Sequence, residues 1–193
     1  EKTFITTAQK PAKLLGYEVL VRKTDVTKRN KFNVPVRSFN GTVVLKVATE
    51  TVKNRLEHYE AIKYKMENGV QTWFSNLRGK LMKKKIEDIV ARYNSEIRGF
   101  YNYYSIANNV SYAASKFGYI MEYSMYHTIA AKTNSSISKV IDKYKKGNDI
   151  IVPYHDAKGK LRSRVFYNEG FKRKLPSSLA DVDNIPYIIT VPQ

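Results

Sequence analysis

A short segment in the middle of the chain, residues 92–109, places cationic, aromatic and amide side chains close together. Arg92 and Arg98 carry guanidinium groups, whose fixed N–H donors suit phosphate oxygens. Tyr103 offers a ring on which an unpaired base can stack. These residue types at this spacing are typical of a surface that binds nucleic acid.

A lysine-rich loop precedes this segment. Lys80 and residues 83–85 lie just before a predicted helix N-terminus. The helix dipole favours anions at that end, so lysines alone are unfavourable there. A bound phosphate would remove this conflict, because the lysines and the free N–H groups of the first turn would both contact it. Glu87 and Asp88 offset the unfavourable charge only in part. The alternative interpretation is a solvated basic loop without a ligand.

The charge of the whole chain indicates the same class of partner. Its 193 residues include 34 Lys and Arg against 17 Asp and Glu, a net charge of +17. Such a field attracts polyanions, and nucleic acid is the first interpretation, with an anionic membrane surface or a merely solvated surface as alternatives. The absence of cysteine excludes disulfides and cysteine-bound zinc. No apolar run reaches the roughly 18 residues that a membrane span needs.

The residues that polymerisation or cleavage would need are missing from the sequence. Two-metal catalysis uses paired carboxylates, and the chain contains no Asp-Asp pair. Glu87 and Asp88 are adjacent, so on a helix their side chains diverge by about 100°. His58, His127 and His155 lie on different predicted elements. We therefore predict no catalytic residue, no metal site and no cofactor in this chain.

A predicted helix positions the basic and aromatic segment. Its apolar residues recur every three or four positions and so share one face. They are Ile86, Val90, Tyr93, Ile97, Phe100, Tyr104 and Ala107. The other faces carry Arg92, Arg98 and Tyr103. Gly99 costs such a helix up to about 1 kcal/mol, and we expect another helix or a ligand backbone to approach closely there.

Three further helices are predicted around this one. The first covers residues 50–67 with Thr49 as its N-cap, and Asn68-Gly69 ends it. The next covers residues 116–132 and carries a tyrosine stripe, which is typical of a core, although base stacking is the alternative. The last covers residues 135–146, with its lysines off the apolar stripe.

Strands are predicted on both sides of the helices. Residues 3–7 and 14–22 have strand character, and residues 34–39 and 42–47 flank Asn40-Gly41, a strong hairpin signal. Residues 150–154 and 161–167 form a second predicted hairpin, on which Arg162 and Arg164 share a face. Residues 176–193 are predicted to be an extended tail. The fold class is therefore α+β, mainly α, with a three- to four-helix bundle between two β segments.

The pairs Tyr93-Asn94 and Arg98-Gly99 and the run Asn102-Tyr103-Tyr104 resemble the signature of the maturase domain, or domain X, of group II intron reverse transcriptases. The resemblance continues in residues 119–124 and 128–132 and covers roughly residues 14–171. In that family this region forms the polymerase thumb and grips the intron RNA. Leu14-Leu15-Gly16-Tyr17 resembles the family's Phe-Leu-Gly-aromatic motif at the palm–thumb junction, with Leu14 in place of Phe; an ordinary buried strand is the alternative.

The resemblance implies a division into residues 1–48 (the end of the palm), 49–175 (thumb and domain X) and 176–193 (linker). It implies that the chain binds group II intron RNA to promote splicing and braces the template–primer during reverse transcription. The chain opens on Glu1, so we expect it to be a piece of a longer protein. The catalytic Asp-Asp pair and its Mg²⁺ are expected in the missing polymerase domain. The expected location is the bacterial cytoplasm, or an organelle.

Other interpretations stay open. The chain can instead be a segment that binds target DNA or a cDNA–RNA hybrid, a non-catalytic basic interaction module, or an enzyme domain whose site the sequence does not reveal. Under the first interpretation its partners are intron RNA, with target DNA and the RNA–DNA hybrid as further candidates, and the rest of the reverse transcriptase, with no membrane. The residues predicted to contact RNA are Lys80, Lys83, Lys84, Lys85, Arg92, Arg98, Tyr103, Lys139, Lys143, Arg162 and Arg164.

Overall fold

The computed structural model describes residues 7–23, 27–36 and 41–175. Over these ranges the chain forms four α-helices and small antiparallel sheets, which confirms the α+β class. The helices are α1 (Thr49–His58), α2 (Ile86–Tyr104), α3 (Val110–Lys132) and α4 (Ile137–Tyr144). The strands are β1 (Ala12–Leu14), β2 (Tyr17–Val21), β3 (Val43–Val47), β4 (Ile62–Glu67), β5 (Val70–Ser75), β6 (Lys145–Lys146), β7 (Asp149–His155) and β8 (Leu161–Val165).

Helices α2 and α3 form the centre of the core. The predicted apolar face of α2 is confirmed, because Val90, Tyr93 and Ile97 are at most 1% exposed. Between the two helices the rings of Phe100 and Phe117 stack, with their centroids 4.2 Å apart. The tyrosine stripe of α3 is divided, since Tyr126 is 1% exposed and Tyr119 is 59% exposed.

Helix α3 begins at Val110, six residues earlier than predicted. The spacing of its first buried residues, Val110, Ala113, Ala114 and Phe117, is helical and was present in the sequence. Asn109 fixes this end to the edge of β3. Its side-chain amide donates to the Val47 carbonyl at 3.1 Å and its side-chain oxygen accepts from the Val47 N–H at 2.7 Å.

The predicted first helix is wrong beyond His58. Its N-cap is Ala48 rather than Thr49, and residues 62–67 form strand β4, which pairs with β5. Asn68-Gly69 is the two-residue turn of this hairpin, with φ of 51° and 76°, and not a helix cap. Apolar residues at 62, 64 and 66 fit the strand period, and the cross-strand pair Tyr64–Trp73 stabilises the hairpin.

The N-terminal strands also pair differently from the prediction. Residues 14–22 are not one strand but a hairpin, because β1 and β2 are joined by a turn at Leu15 and Gly16 with φ of 52° and 83°. Strand β3 confirms the predicted strand at residues 42–47, and it pairs with β2. Residues 37–40, and most of the predicted strand at 3–7, lie outside the described ranges.

The Gly16 turn packs against the end of α2, which yields a test of the fold. A Cβ at Gly16 would overlap the hydroxyl of Tyr104, a buried residue. We expect Gly16→Ala to lower the free energy of unfolding by about 2 kcal/mol, measured by urea denaturation, since backbone strain and overlap add. Gly69→Ala is the matched control: it has a similar φ but open space around it, and it should cost only about 1 kcal/mol. Equal effects of the two substitutions would refute the close contact.

The C-terminal part confirms the predicted β7–β8 hairpin. Helix α4 is shorter than predicted and is capped by the Ser136 hydroxyl, which accepts from the Lys139 N–H at 3.3 Å. The following segment, residues 166–175, crosses α2, where the Tyr101 hydroxyl donates to the Lys172 carbonyl at 2.6 Å. Residues 176–193, the predicted tail, lie outside the described ranges.

In the parts of the chain given above, no helix has the length and apolar character to cross a bilayer. Within the same residues, no three histidine or acidic side chains are grouped in a way that would hold a metal ion.

Candidate nucleic-acid interface

A groove runs along one face of α2, between this helix and the end of α1. Arg92, Glu96, Gly99 and Tyr103 follow one another at intervals of three or four residues, so they share this face. Two concavities meet at the ring of Tyr59, which lines both. We call their combined surface the α1–α2 groove. It is lined by Arg55, His58, Tyr59, Glu60, Arg78, Lys80, Leu81, Lys84, Arg92, Gly99, Phe100, Tyr103 and Tyr104.

A buried ion pair forms the floor of the groove. The guanidinium of Arg78 donates to both carboxylate oxygens of Glu96, at 2.6 and 3.0 Å, and the two residues are only 8% and 6% exposed. Arg92, one helical turn before Glu96, donates to the same carboxylate at 2.7 Å. Burial opposes the charged form of Arg78, but the hydrogen bond and charge of Glu96 outweigh it and raise the pKa of Arg78. Arg78 therefore stays charged in the floor of the groove.

Aromatic rings and hydroxyls hold Arg78 in place. Its guanidinium carbon lies 4.9 Å from the ring centre of Tyr93 and 5.5 Å from that of Tyr59. Its backbone N–H donates to the Thr128 hydroxyl at 3.0 Å. The Tyr93 hydroxyl lies 2.8 Å from that of Ser124 and 3.1 Å from that of Thr128. Helices α2 and α3 therefore fix this cation before any ligand arrives.

Lysines line the rim of the groove near the start of α2. Lys80 and Lys84 line it together with Arg92, and Lys80 also forms an exposed ion pair with Glu60. Lys83 and Lys85 are exposed beside them, and Lys85 is the N-cap of α2 without a side-chain capping hydrogen bond. The structure thus brings together much of the lysine loop that the sequence singled out.

Tyr103 lies at the other end of the groove. Its ring stacks on that of Tyr17, with centroids 5.9 Å apart, and its hydroxyl donates to the Leu15 carbonyl at 3.2 Å. Because Tyr17 covers one side of a ring that is 52% exposed, a base can stack only on the other side. Gly99 faces open space in the groove, so the expected close approach of another helix at Gly99 is not found among the described residues.

Arg98 does not line the groove. It lies about 120° from Arg92 around α2, forms an ion pair with Glu169 at 3.1 Å, and lies 5.9 Å from the ring centre of Tyr167. In this arrangement its guanidinium holds the C-terminal segment against α2.

The remaining predicted residues lie around a second concavity, between α4 and the β7–β8 hairpin. We call it the α4–β8 cavity. Lys139 is exposed one turn before Lys143. Arg162 and Arg164 are on one face of β8, as predicted. Arg164 is half-buried beside the Tyr154 ring. Its Nε has no protein hydrogen-bond partner in the described residues. The cavity is lined by Lys143, Tyr144, Lys146, Ile151, Pro153, Leu161, Arg162 and Ser163.

Several residues of these surfaces escaped the sequence analysis. Arg55 and Arg78 were not among the predicted contacts, and only their packing beside α2 brings them to the groove. Tyr59 was assigned to an apolar stripe. A usable signal existed for Lys146, which belongs to the lysine-rich run at residues 143–146 that continues from α4 into β6.

Comparison with known proteins places this chain among relatives of one kind. A family model for the type II intron maturase matches residues 27–161, which include α1, α2 and α3. The group II intron-encoded protein LtrA of Lactococcus lactis subsp. cremoris is 36% identical over 169 residues, which make up 87% of this chain and 27% of LtrA. A putative COX1/OXI3 intron 1 protein of Saccharomyces cerevisiae is 30% identical over 160 residues, 78% of this chain and 19% of that protein.

The chain spans about a quarter of the length of LtrA and about a fifth of that of the yeast protein. The family match covers well over half of this chain, and it includes the segment of α2 whose residues line the groove. The chain therefore belongs to the type II intron maturase family.

Proposed function

We propose that this chain is an RNA-binding module that holds folded group II intron RNA and so promotes splicing. The observation that carries the proposal is the α1–α2 groove, where four cations (Arg78, Lys80, Lys84 and Arg92) outnumber two carboxylates, Glu60 at the rim and Glu96 in the floor. Membership of the maturase family makes intron RNA the polyanion that fits best.

The groove suits a phosphate backbone better than a base sequence. From Arg92 to Tyr103 the face of α2 spans about 16 Å, which is enough for several phosphates of one strand. Arginine and lysine contacts to phosphates set affinity and register but carry little sequence information. Recognition would therefore depend on the shape of the folded RNA, with Tyr103 as a stacking platform for an unpaired base.

The proposal extends to the longer protein of which this chain would be a part. There the module would also brace the template–primer, next to a polymerase domain that supplies the paired aspartates and Mg²⁺. It would act where group II introns are spliced, in the bacterial cytoplasm or in an organelle. Binding of target DNA or of a cDNA–RNA hybrid is the second candidate, since a phosphate groove accepts either backbone.

Salt dependence tests the proposed function. If six or more phosphates are contacted, the logarithm of the association constant for intron RNA should fall against the logarithm of salt concentration with a slope of about −4 or steeper. Filter binding between low and physiological salt measures it, and duplex DNA of equal length serves as the competitor. A slope near −1, or tighter binding to the DNA at equal salt, would contradict the proposal.

A further inference from the structure

The α4–β8 cavity carries cations that the groove does not use, and we propose that it is a separate site for an unpaired RNA strand. The proposal rests on the proposed function in one respect: both take RNA as the partner. It goes further in assigning a second site and in naming the state of the RNA that this site accepts.

The charge of the cavity is neutralised only in part by the residues that the structure describes, since Arg162 pairs with Asp156 but the two lysines have no counter-ion there. Lys143, Lys146 and Arg162 line it, and no carboxylate does. Asp149, which is opposite Lys146 in the strand register, accepts instead from the Asn168 side chain at 2.8 Å. Neither lysine forms an ion pair with any residue that the structure describes.

One edge of the Arg162 guanidinium is held by a hydrogen bond within the protein. Its Nε donates to Asp156 at 3.2 Å, and this carboxylate also accepts from two backbone N–H groups of the hairpin turn, each at 2.9 Å. The terminal amino groups of Arg162 make no hydrogen bond with the described residues, and the register places this side chain on the face of β8 opposite Leu161, at the edge of the cavity rather than over its floor. A guanidinium held at one edge in this way presents its other edge to a phosphate.

The floor of the cavity indicates which kind of RNA fits. Ile151, Pro153 and Leu161 make it apolar, and Leu161 is 64% exposed beside the cations. A duplex covers the faces of its bases and offers mainly phosphate and sugar, whereas an unpaired strand also offers base and sugar surface to apolar side chains. The volume, about 630 Å³, is in the range of pockets that take small organic ligands.

Anisotropy of a fluorescein-labelled, unstructured RNA of about eight nucleotides tests the site, with and without a saturating, unlabelled RNA hairpin. The wild-type chain should bind the oligomer in the presence of the hairpin. The triple variant Lys143→Ala, Lys146→Ala, Arg162→Ala should lose at least about tenfold in affinity, and its salt slope should be less steep by about 2. The matched control, Lys10→Ala, Lys63→Ala, Lys65→Ala, removes the same charge from exposed positions outside both surfaces and should change neither value.

A second variant separates the cavity from general electrostatic attraction. Leu161→Ser alters the apolar floor but no charge, so it should weaken binding of the oligomer several-fold and leave the salt slope unchanged. Complete displacement of the oligomer by the hairpin, or equal losses in the cavity and control variants, would overturn the proposal. If the wild-type chain fails to bind the hairpin but binds the oligomer through the cavity, the groove function fails and the second site stands.

Discussion

Replacing Glu96 with alanine should lower the free energy of unfolding by about 3–5 kcal/mol, which is the usual cost of leaving one partner of a buried ion pair without its counter-ion. The reason is the position of Arg78, whose guanidinium is buried and donates twice to that carboxylate. Arg78→Ala should cost less, because Arg92 still neutralises Glu96. Urea denaturation followed by circular dichroism measures both values.

An exposed pair of the same chemistry is the control for this prediction. Arg98 and Glu169 are 50% and 62% exposed in their side chains, and Glu169→Ala should cost less than about 1 kcal/mol. The double variant Arg78→Met, Glu96→Leu should be more stable than Glu96→Ala alone, since no buried charge is left unpaired. If Glu96→Ala is as mild as Glu169→Ala, water reaches the pair and the floor of the groove is not rigid.

The central helices could be predicted from the sequence because packing and pattern agree there. Six of the seven predicted apolar positions lie on α2 at helical spacing, and the burial of this face follows directly. Residues 62–67 show why other elements could not be predicted: alternate apolar residues follow a helical stretch, and Asn-Gly can end a helix or turn a hairpin. Only the pairing of Tyr64 with Trp73 across the hairpin decides between these outcomes, and a single strand does not reveal its partner.

The candidate site was predictable in its composition but not in its arrangement. A lysine loop and an arginine-bearing helix indicated phosphate binding, and the structure joins Lys80, Lys84 and Arg92 in one groove. Charge alone did not show that Arg98 lies outside the groove. There it pairs with Glu169, which comes from a distant part of the chain. Nor did charge single out Arg78 from the basic loop to which it belongs, because this arginine acquires its role only when α2 supplies Glu96 beneath it.

The triple variant Lys80→Ala, Lys84→Ala, Arg92→Ala should bind structured intron RNA about 100-fold more weakly than the wild-type chain, if each lost contact costs about 1 kcal/mol. Its salt slope should be less steep by about 2 to 3. All three side chains are exposed, so the unfolding curve should move little. The Lys10, Lys63 and Lys65 control variant described above should bind as the wild type does, and so should the α4–β8 cavity variant toward an RNA without unpaired segments.

Gly99→Ala tests the same groove with a substitution that should lower RNA affinity but raise the free energy of unfolding. Outside its own stretch of helix, an added Cβ meets no atom of the described residues within 4 Å. Alanine favours a helix over glycine by up to about 1 kcal/mol, so the protein should become more stable. If an RNA backbone lies against this face of α2, the methyl group occupies its space and affinity should fall several-fold while stability rises. If Gly99→Ala and the triple variant both bind RNA as tightly as the wild type does, the RNA lies elsewhere on the molecule.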